Sequence, residues 1–231
     1  MRLRRLLLPI AAGTAVWYLR SVYRFRDPVR VPPTGPGVVL SPADGVVSFV
    51  RRIQDGKIQS DALNAALNVG DLLGSAAAAQ NGWLMGIFVG PLDVHYVYQP
   101  QAGQVTDVQH TGSRSDVALL GPGEALSMLA GQPTDLLGGR GTLENERLSF
   151  VVQGSGMQDE AGPVIVALVA PGAGLKATSY LKEGDMASAG HKAAFLAEGG
   201  LVLLSLGAEL TPQVGVGERV LGAQTVIATN V

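Results

Sequence analysis

Cysteine does not occur anywhere in the 231 residues. Its absence removes disulfides, thiolate zinc sites and cysteine nucleophiles together. It leaves the redox compartment open, because a chain without thiols tolerates either condition. Aromatic residues are scarce at 5%, and charged residues make up only 16% against 47% hydrophobic ones. That balance excludes a disordered chain. Histidine occurs three times, so imidazole chemistry has few places to sit. A basic surplus is also missing. The net charge is −2, which is not a nucleic-acid-binding profile. No apolar run reaches the roughly 20 residues of a comfortable membrane span.

What is present is glycine, 31 residues of it, which predicts many turns and short strands. The charge is also unevenly placed. Residues 1–30 hold seven arginines (2, 4, 5, 20, 24, 26 and 30) and a single acid, Asp27, so the rest of the chain is acidic. A basic head on an acidic body points to an anionic phospholipid membrane as partner. Between the arginines lies "LLLPIAAGTAVWYL", residues 6–19. Trp17 and Tyr18 stand at one end, as interfacial anchors do. The reading is an N-terminal apolar helix over residues 1–22 that spans or lies on the membrane, followed by one domain over 23–231. A signal peptide is the rival. Arg20, Arg24 and Arg26 follow at once and disfavour export. The expected location is the cell membrane, peripheral or N-terminally anchored, with the body on the cytoplasmic side.

"RFRDPVRVPPTGPG", residues 24–37, carries four prolines and two glycines and reads as an extended linker. "VVLSPADGVVSFVRRI" reads as two strands around a Pro-Ala-Asp-Gly turn. Residues 61–80, rich in alanine and leucine, are ambiguous between helix and a loop with some strand. Residues 82–109 read as two or three strands broken at Gly90-Pro91 and Gln99-Pro100. "ERLSFVVQ" and "GPVIVALVA" predict a hairpin. Short apolar runs alternating with glycine turns fill the C-terminal part. The fold class that follows is α+β, mostly β: a short-stranded barrel or sandwich with a lipoyl-like C-terminal part. No lysine follows Lys192, so a lipoyl-type swinging arm has no attachment point.

Three clusters carry candidate chemistry. Asp44 closes the tight turn of "SPADG", where an isolated Asp-Gly ordinarily bonds its own backbone. His95 follows a strand break in "GPLDVHYVYQP", two residues after Asp93, a carboxylate able to tune it. The third is Ala197-Glu198-Gly199-Gly200, opening onto an apolar strand. Paired glycines there demand a sharp turn or a close backbone approach.

In order along the chain, these segments resemble the pyruvoyl-dependent phosphatidylserine decarboxylases in their short form. The resemblance runs from about Tyr23 to Ala228. It rests on Phe25-Arg26-Asp27-Pro28, the intact Ser41-Pro42-Ala43-Asp44-Gly45, Gly90-Pro91-Leu92-Asp93-Val94-His95, Asn145-Glu146-Arg147 and the "VGVGERVLGAQTVIA" ending. Each motif alone is weak; five in order are specific. The resemblance implies a serine that attacks the preceding carbonyl, splits the chain and leaves a pyruvoyl group. That group then acts as an electron sink for decarboxylation. It also implies that Asp44 and His95 form the relay activating the serine.

With Glu183-Gly184-Asp185 placed on the family's E-G-D and Gly190 on its next glycine, the serine falls on Gly200. Glu198 then replaces an aromatic residue, and Leu201 an arginine. Further departures fall at residues 169–171 and 174–177, so they gather on the catalytic side. Glycine has no hydroxyl to begin the acyl shift and elimination that make a pyruvoyl group, so no cofactor is expected in this chain, nor a metal. The reading is a non-catalytic homologue in membrane phospholipid metabolism, with an active paralogue or a second copy of itself as partner. The alternative is an active decarboxylase with a self-derived pyruvoyl group at an unconventional site, for which Ser205 and Gly154-Ser155 are the candidates. A β-barrel assembly module without lipid chemistry is a third reading, and it leaves Asp44 and His95 unexplained.

Overall fold

The computed structural model describes residues 2–154, 162–172 and 174–230, with the side chains of residues 2–9 and Leu129 outside that description. Helix α1 (Arg2–Ser21) leads into a 3₁₀ turn at Tyr23–Phe25. Residues 26–35 then run without regular structure, as their prolines require. Strands β1 (Val38–Leu40) and β2 (Gly45–Ile53) flank the Ser41–Asp44 turn. The ambiguous segment resolves into a hairpin of β3 (Lys57–Ser60) with β4 (Ala65–Asn68), then a single helical turn, α2 (Val69–Leu73). Asn68 caps that turn by accepting from the Asp71 amide at 3.2 Å. Local alanine and leucine content favoured a longer helix; Gly70 and Gly74 cut it short.

Next come β5 (Gly82–Val89), β6 (Tyr96–Tyr98) and β7 (Gly103–Thr111), broken at the two Pro sites expected. Helices α3 (Pro122–Leu129) and α4 (Arg140–Glu144) precede β8 (Arg147–Gly154), which pairs antiparallel with β9 (Val164–Val169). The C-terminal part adds β10 (Ala177–Ser179), β11 (Met186–Ala187), β12 (Lys192–Leu196), β13 (Gly200–Gly207), β14 (Leu210–Pro212), β15 (Arg219–Val220) and β16 (Val226–Asn230).

The main sheet has the order β11-β7-β8-β9-β13-β5-β2-β15, and all its pairs are antiparallel. Smaller sheets, β1-β16-β14, β10-β12-β6 and β3-β4, complete the fold. The mostly β class holds, and of the two expected forms, barrel or sandwich, the barrel is corrected: among the described residues none of these sheets closes. The main sheet ends in two strands of two residues each, β11 and β15. Edges that short carry too few backbone groups to join into a ring.

The central strands are buried on both faces. Val164, Val166 and Leu168 of β9 enter one core with Val202 and Leu204 of β13. Ile165, Ala167 and Val169 enter the other with Leu201 and Leu203. Burial on both faces explains why these strands read as continuous apolar runs rather than alternating ones. No described helix, α1 included, is long and apolar enough to cross a membrane. Its described side chains leave Ile10, Val16, Trp17 and Tyr18 exposed.

The Asn145-Glu146-Arg147 motif ties this frame together. The buried Arg147 guanidinium donates to the carbonyls of Asp71 and Leu72 at the end of α2, and to those of Thr142, Leu143 and Asn145 at the end of α4. Helix ends leave such carbonyls without intrahelical partners, and one arginine satisfies two ends at once. Burial lowers the Arg147 pKa, with Arg114 adding to the effect and Asp71 opposing it. Glu146 accepts from the Leu175 amide at 2.6 Å and meets His110, and both hold its carboxyl below the usual range against the opposing effect of desolvation.

Candidate functional site

The strand register gathers the sequence candidates at one end of the main sheet. Gly200 opens β13 opposite Val89, the last residue of β5, and Val46 of β2 lies opposite Phe88. Asp44, the residues after Val89 and the Gly199-Gly200 turn therefore emerge on adjacent strands. After Val89 the chain turns. The Gly90 amide donates to Asp93 Oδ2 at 2.8 Å, and Arg219 holds Asp93 Oδ1 at 2.5 Å. This turn delivers His95, 3% exposed, against the strand that precedes Gly199: its carbonyl accepts from the Leu196 amide at 2.9 Å.

The His95 ring lies 6.2 Å from that of Phe195, centroid to centroid. Neither ring nitrogen has a hydrogen-bond partner among the described residues. Burial lowers the His95 pKa, only partly offset by the carbonyls of Gly90, Leu196 and Ala197 and the charge of Asp93. The imidazole is thus neutral near pH 7. Asp93 acts on it only at a distance, because both of its oxygens are committed to Gly90 and Arg219.

Asp44 is not the orienter of this histidine. Arg30 grips its carboxylate in two-pronged fashion, at 2.6 and 2.8 Å, and the Gly222 amide donates to Oδ1 at 2.8 Å. Both side chains of the pair are buried, 7% and 6% exposed. The guanidinium stands 5.3 Å from the Tyr98 ring. Burial tends to lower the Arg30 pKa, and Asp44 more than reverses this, so it is raised. Burial likewise pushes the Tyr98 hydroxyl up to about 12. Asp44 and His95 therefore stand at the same end of the sheet without the hydrogen bond that a relay requires.

At the turn itself, Gly199 has φ +72° and Gly200 φ +143°, backbone that favours glycine. A Cβ on Gly200 would meet the Val169 carbonyl oxygen at 2.5 Å. The serine precursor of a pyruvoyl group does not fit here: the hydroxyl that starts the chain break is missing, and the space for the Cβ that would carry it is closed. Ser205 is no substitute. It lies inside β13, paired on both sides to Leu84 and Ile165, its Oγ buried and unpartnered. Five residues of strand put it about 17 Å from Gly200. Ser155 lies outside the described residues.

Glu198, where the resemblance expects an aromatic ring, instead faces Arg20, Arg24 and Lys176 at 3.7, 3.9 and 3.3 Å. Sequence reasoning missed Arg30 as the partner of Asp44, because it sits in a proline-rich stretch read as a linker. It also missed Phe25, which stacks on Phe195 at 5.3 Å and 12°. The Phe25-Arg26-Asp27-Pro28 motif was the available signal. No cluster of histidine, aspartate or glutamate able to hold a metal occurs among the described residues.

The comparisons with known proteins agree on one lineage. A Methanocaldococcus jannaschii protein named as an archaetidylserine decarboxylase proenzyme is 29% identical over 92% of this chain and 90% of its own. Phosphatidylserine decarboxylase proenzymes of Mycobacterium leprae and Mycobacterium avium are 29% and 30% identical, over 98% and 95% of this chain and 74% and 73% of theirs. The family profile described as phosphatidylserine decarboxylase matches residues 17–228, and by that match the chain belongs to the phosphatidylserine decarboxylase family.

Proposed function

We propose that this protein is a non-processing, non-catalytic member of the family, acting in phospholipid metabolism at an anionic membrane surface, with an active paralogue or a second copy of itself as partner. The observation that carries the reading is the Gly199-Gly200 turn. It offers no hydroxyl for chain cleavage and has a backbone path with no room for one. The unbonded, neutral His95 and the Arg30-bound Asp44 fit a site whose relay is no longer assembled. For the membrane, support comes from the seven arginines of the first 30 residues and the exposed Trp17 and Tyr18 on α1. On this reading α1 lies in the interface, with Trp17 and Tyr18 at the headgroup level and its arginines toward the lipid phosphates. Each arginine near an anionic surface contributes about 1 kcal/mol, weakened by salt.

The rival reading, an active phosphatidylserine decarboxylase working through an unconventional serine, draws on the retained Asp44 and His95. Intact mass of the purified protein, with a carbonyl-reactive probe, separates the two. The proposal expects one chain of about 23.9 kDa with no reactive carbonyl. Two chains, the smaller blocked by a pyruvoyl group, establish the rival.

A further inference from the structure

The segment joining α1 to the domain runs directly over the chain segments that frame His95. Arg24 Nη1 donates to the carbonyl of Ala197 at 3.0 Å, and Arg26 Nη2 to that of Leu92 at 2.6 Å. Phe25 lies between them, stacked on the Phe195 ring that neighbours His95. Asp27 pairs with Lys192. Beyond these contacts the Arg30–Asp44 pair fixes the segment to the domain.

Two features set residues 20–27 apart from a permanently packed element. Among the described residues, none of 27–36 makes a backbone–backbone hydrogen bond, and Val29 and Val31 are 95% and 80% exposed. The stretch on either side of Arg30 is therefore free to pivot about that anchored side chain. The other end is held by charge as well as by the Phe25 stack and the two arginine–carbonyl bonds. Arg20 and Arg24 share Glu198 with Lys176 at 3.3–3.9 Å, and such pairs are weak and easily competed for. Arg24 Nε and Arg26 Nη1 are buried without partners, so the closed position leaves donors unsatisfied.

We infer that residues 20–27 form a strap that seals His95, hinged at Arg30, and that an anionic phospholipid surface opens it by drawing Arg20 and Arg24 away from Glu198. The opening half of this inference rests on the membrane reading above. Lipid phosphates offer the two arginines more negative charge than one shared carboxylate does. Helix α1 continues into the strap, with the Tyr18 and Tyr23 rings 6.2 Å apart, so helix and strap leave the domain together. Opening exposes the apolar Phe195 wall and the neutral His95 imidazole to the lipid side.

Carbethoxylation by diethyl pyrocarbonate, read at each histidine by peptide mass spectrometry, tests this on the full chain. His110 and His191 are exposed and serve as internal references. In buffer, His95 should react at least about tenfold more slowly than either. Vesicles of phosphatidylglycerol should speed His95 several-fold, and vesicles of phosphatidylcholine alone should not. Phe25→Ala and Glu198→Gln should speed it without lipid. If the protein sediments with phosphatidylglycerol vesicles while His95 keeps its slow rate, release by lipid is overturned. If it does not sediment, the membrane reading fails, and lipid release with it. The Phe25→Ala arm still decides the seal: a His95 rate equal to that of the unsubstituted protein overturns it.

Discussion

Gly200 decides the chemistry at the scale of single atoms. Restoring a hydroxyl by Gly200→Ser requires a Cβ that meets the Val169 carbonyl oxygen at 2.5 Å and a side chain on a backbone at φ +143°. Strain of this kind costs about 1–3 kcal/mol, and β13 must also part from β9 to make room. We expect Gly200→Ser to lower the melting temperature by several degrees and to remain uncleaved, with Gly200→Ala destabilised to the same extent. Calorimetry and intact mass check both. An uncleaved Gly200→Ser as stable as the starting protein would remove the steric argument, and a pyruvoyl-blocked fragment from it would show that Asp44 and His95 still work as a relay. The positions of these residues were legible in the sequence because motif order survives: Asp44, His95 and Gly200 do emerge at one end of one sheet. Their hydrogen bonds were not legible. The partner of Asp44 is an arginine only fourteen residues away, and nothing in a proline-rich stretch says which way its side chain turns.

At the scale of elements, alternation and turn residues carried the strands, and Gly90-Pro91 and Gln99-Pro100 break them where expected. Helices α3 and α4 escaped that reading. They are eight and five residues long, too short for a helical period to stand out. What holds α4 is long-range: Arg147 binds its final carbonyls together with those of α2, some 75 residues earlier. Arg147→Met keeps much of the volume and removes every one of those donors. Several buried carbonyls then lose their partners, at a cost of about 3 kcal/mol. We expect a clear drop in the urea midpoint and faster amide exchange confined at first to α2 and α4. A drop with uniform exchange would place the loss elsewhere than at these two helix ends. Which of barrel and sandwich the strands would make was not legible. Strand spacing reports how often the chain reverses, whereas closure depends on what the two edge strands do, and β11 and β15 are two residues each.

For the molecule as a whole, the buried histidine sets a dependence of stability on pH. Its folded pKa lies below the ordinary 6.5 because burial disfavours the charged ring. Once unfolded, the chain takes up a proton at about 6.5 that the folded protein still refuses. Between that pH and the lower folded value the unfolded state binds more protons, so stability falls as the solution is acidified. Each unit of depression removes about 1.4 kcal/mol. Glu146 adds a second, lower step. Its folded pKa is depressed from 4.5, chiefly by the Leu175 amide, so its contribution is intact above that pH and is lost as acid passes through the folded value. The protein should therefore lose stability in two stages, the first starting near pH 6.5. His95→Gln has no titrating ring, and so should flatten the first stage while leaving the second in place. Urea denaturation at half-unit intervals from pH 7.5 to 2.5 follows both. If His95→Gln keeps the full slope between pH 6.5 and 5, the imidazole is not the group that resists protonation, and the sealed, neutral state of His95 in the folded protein is wrong.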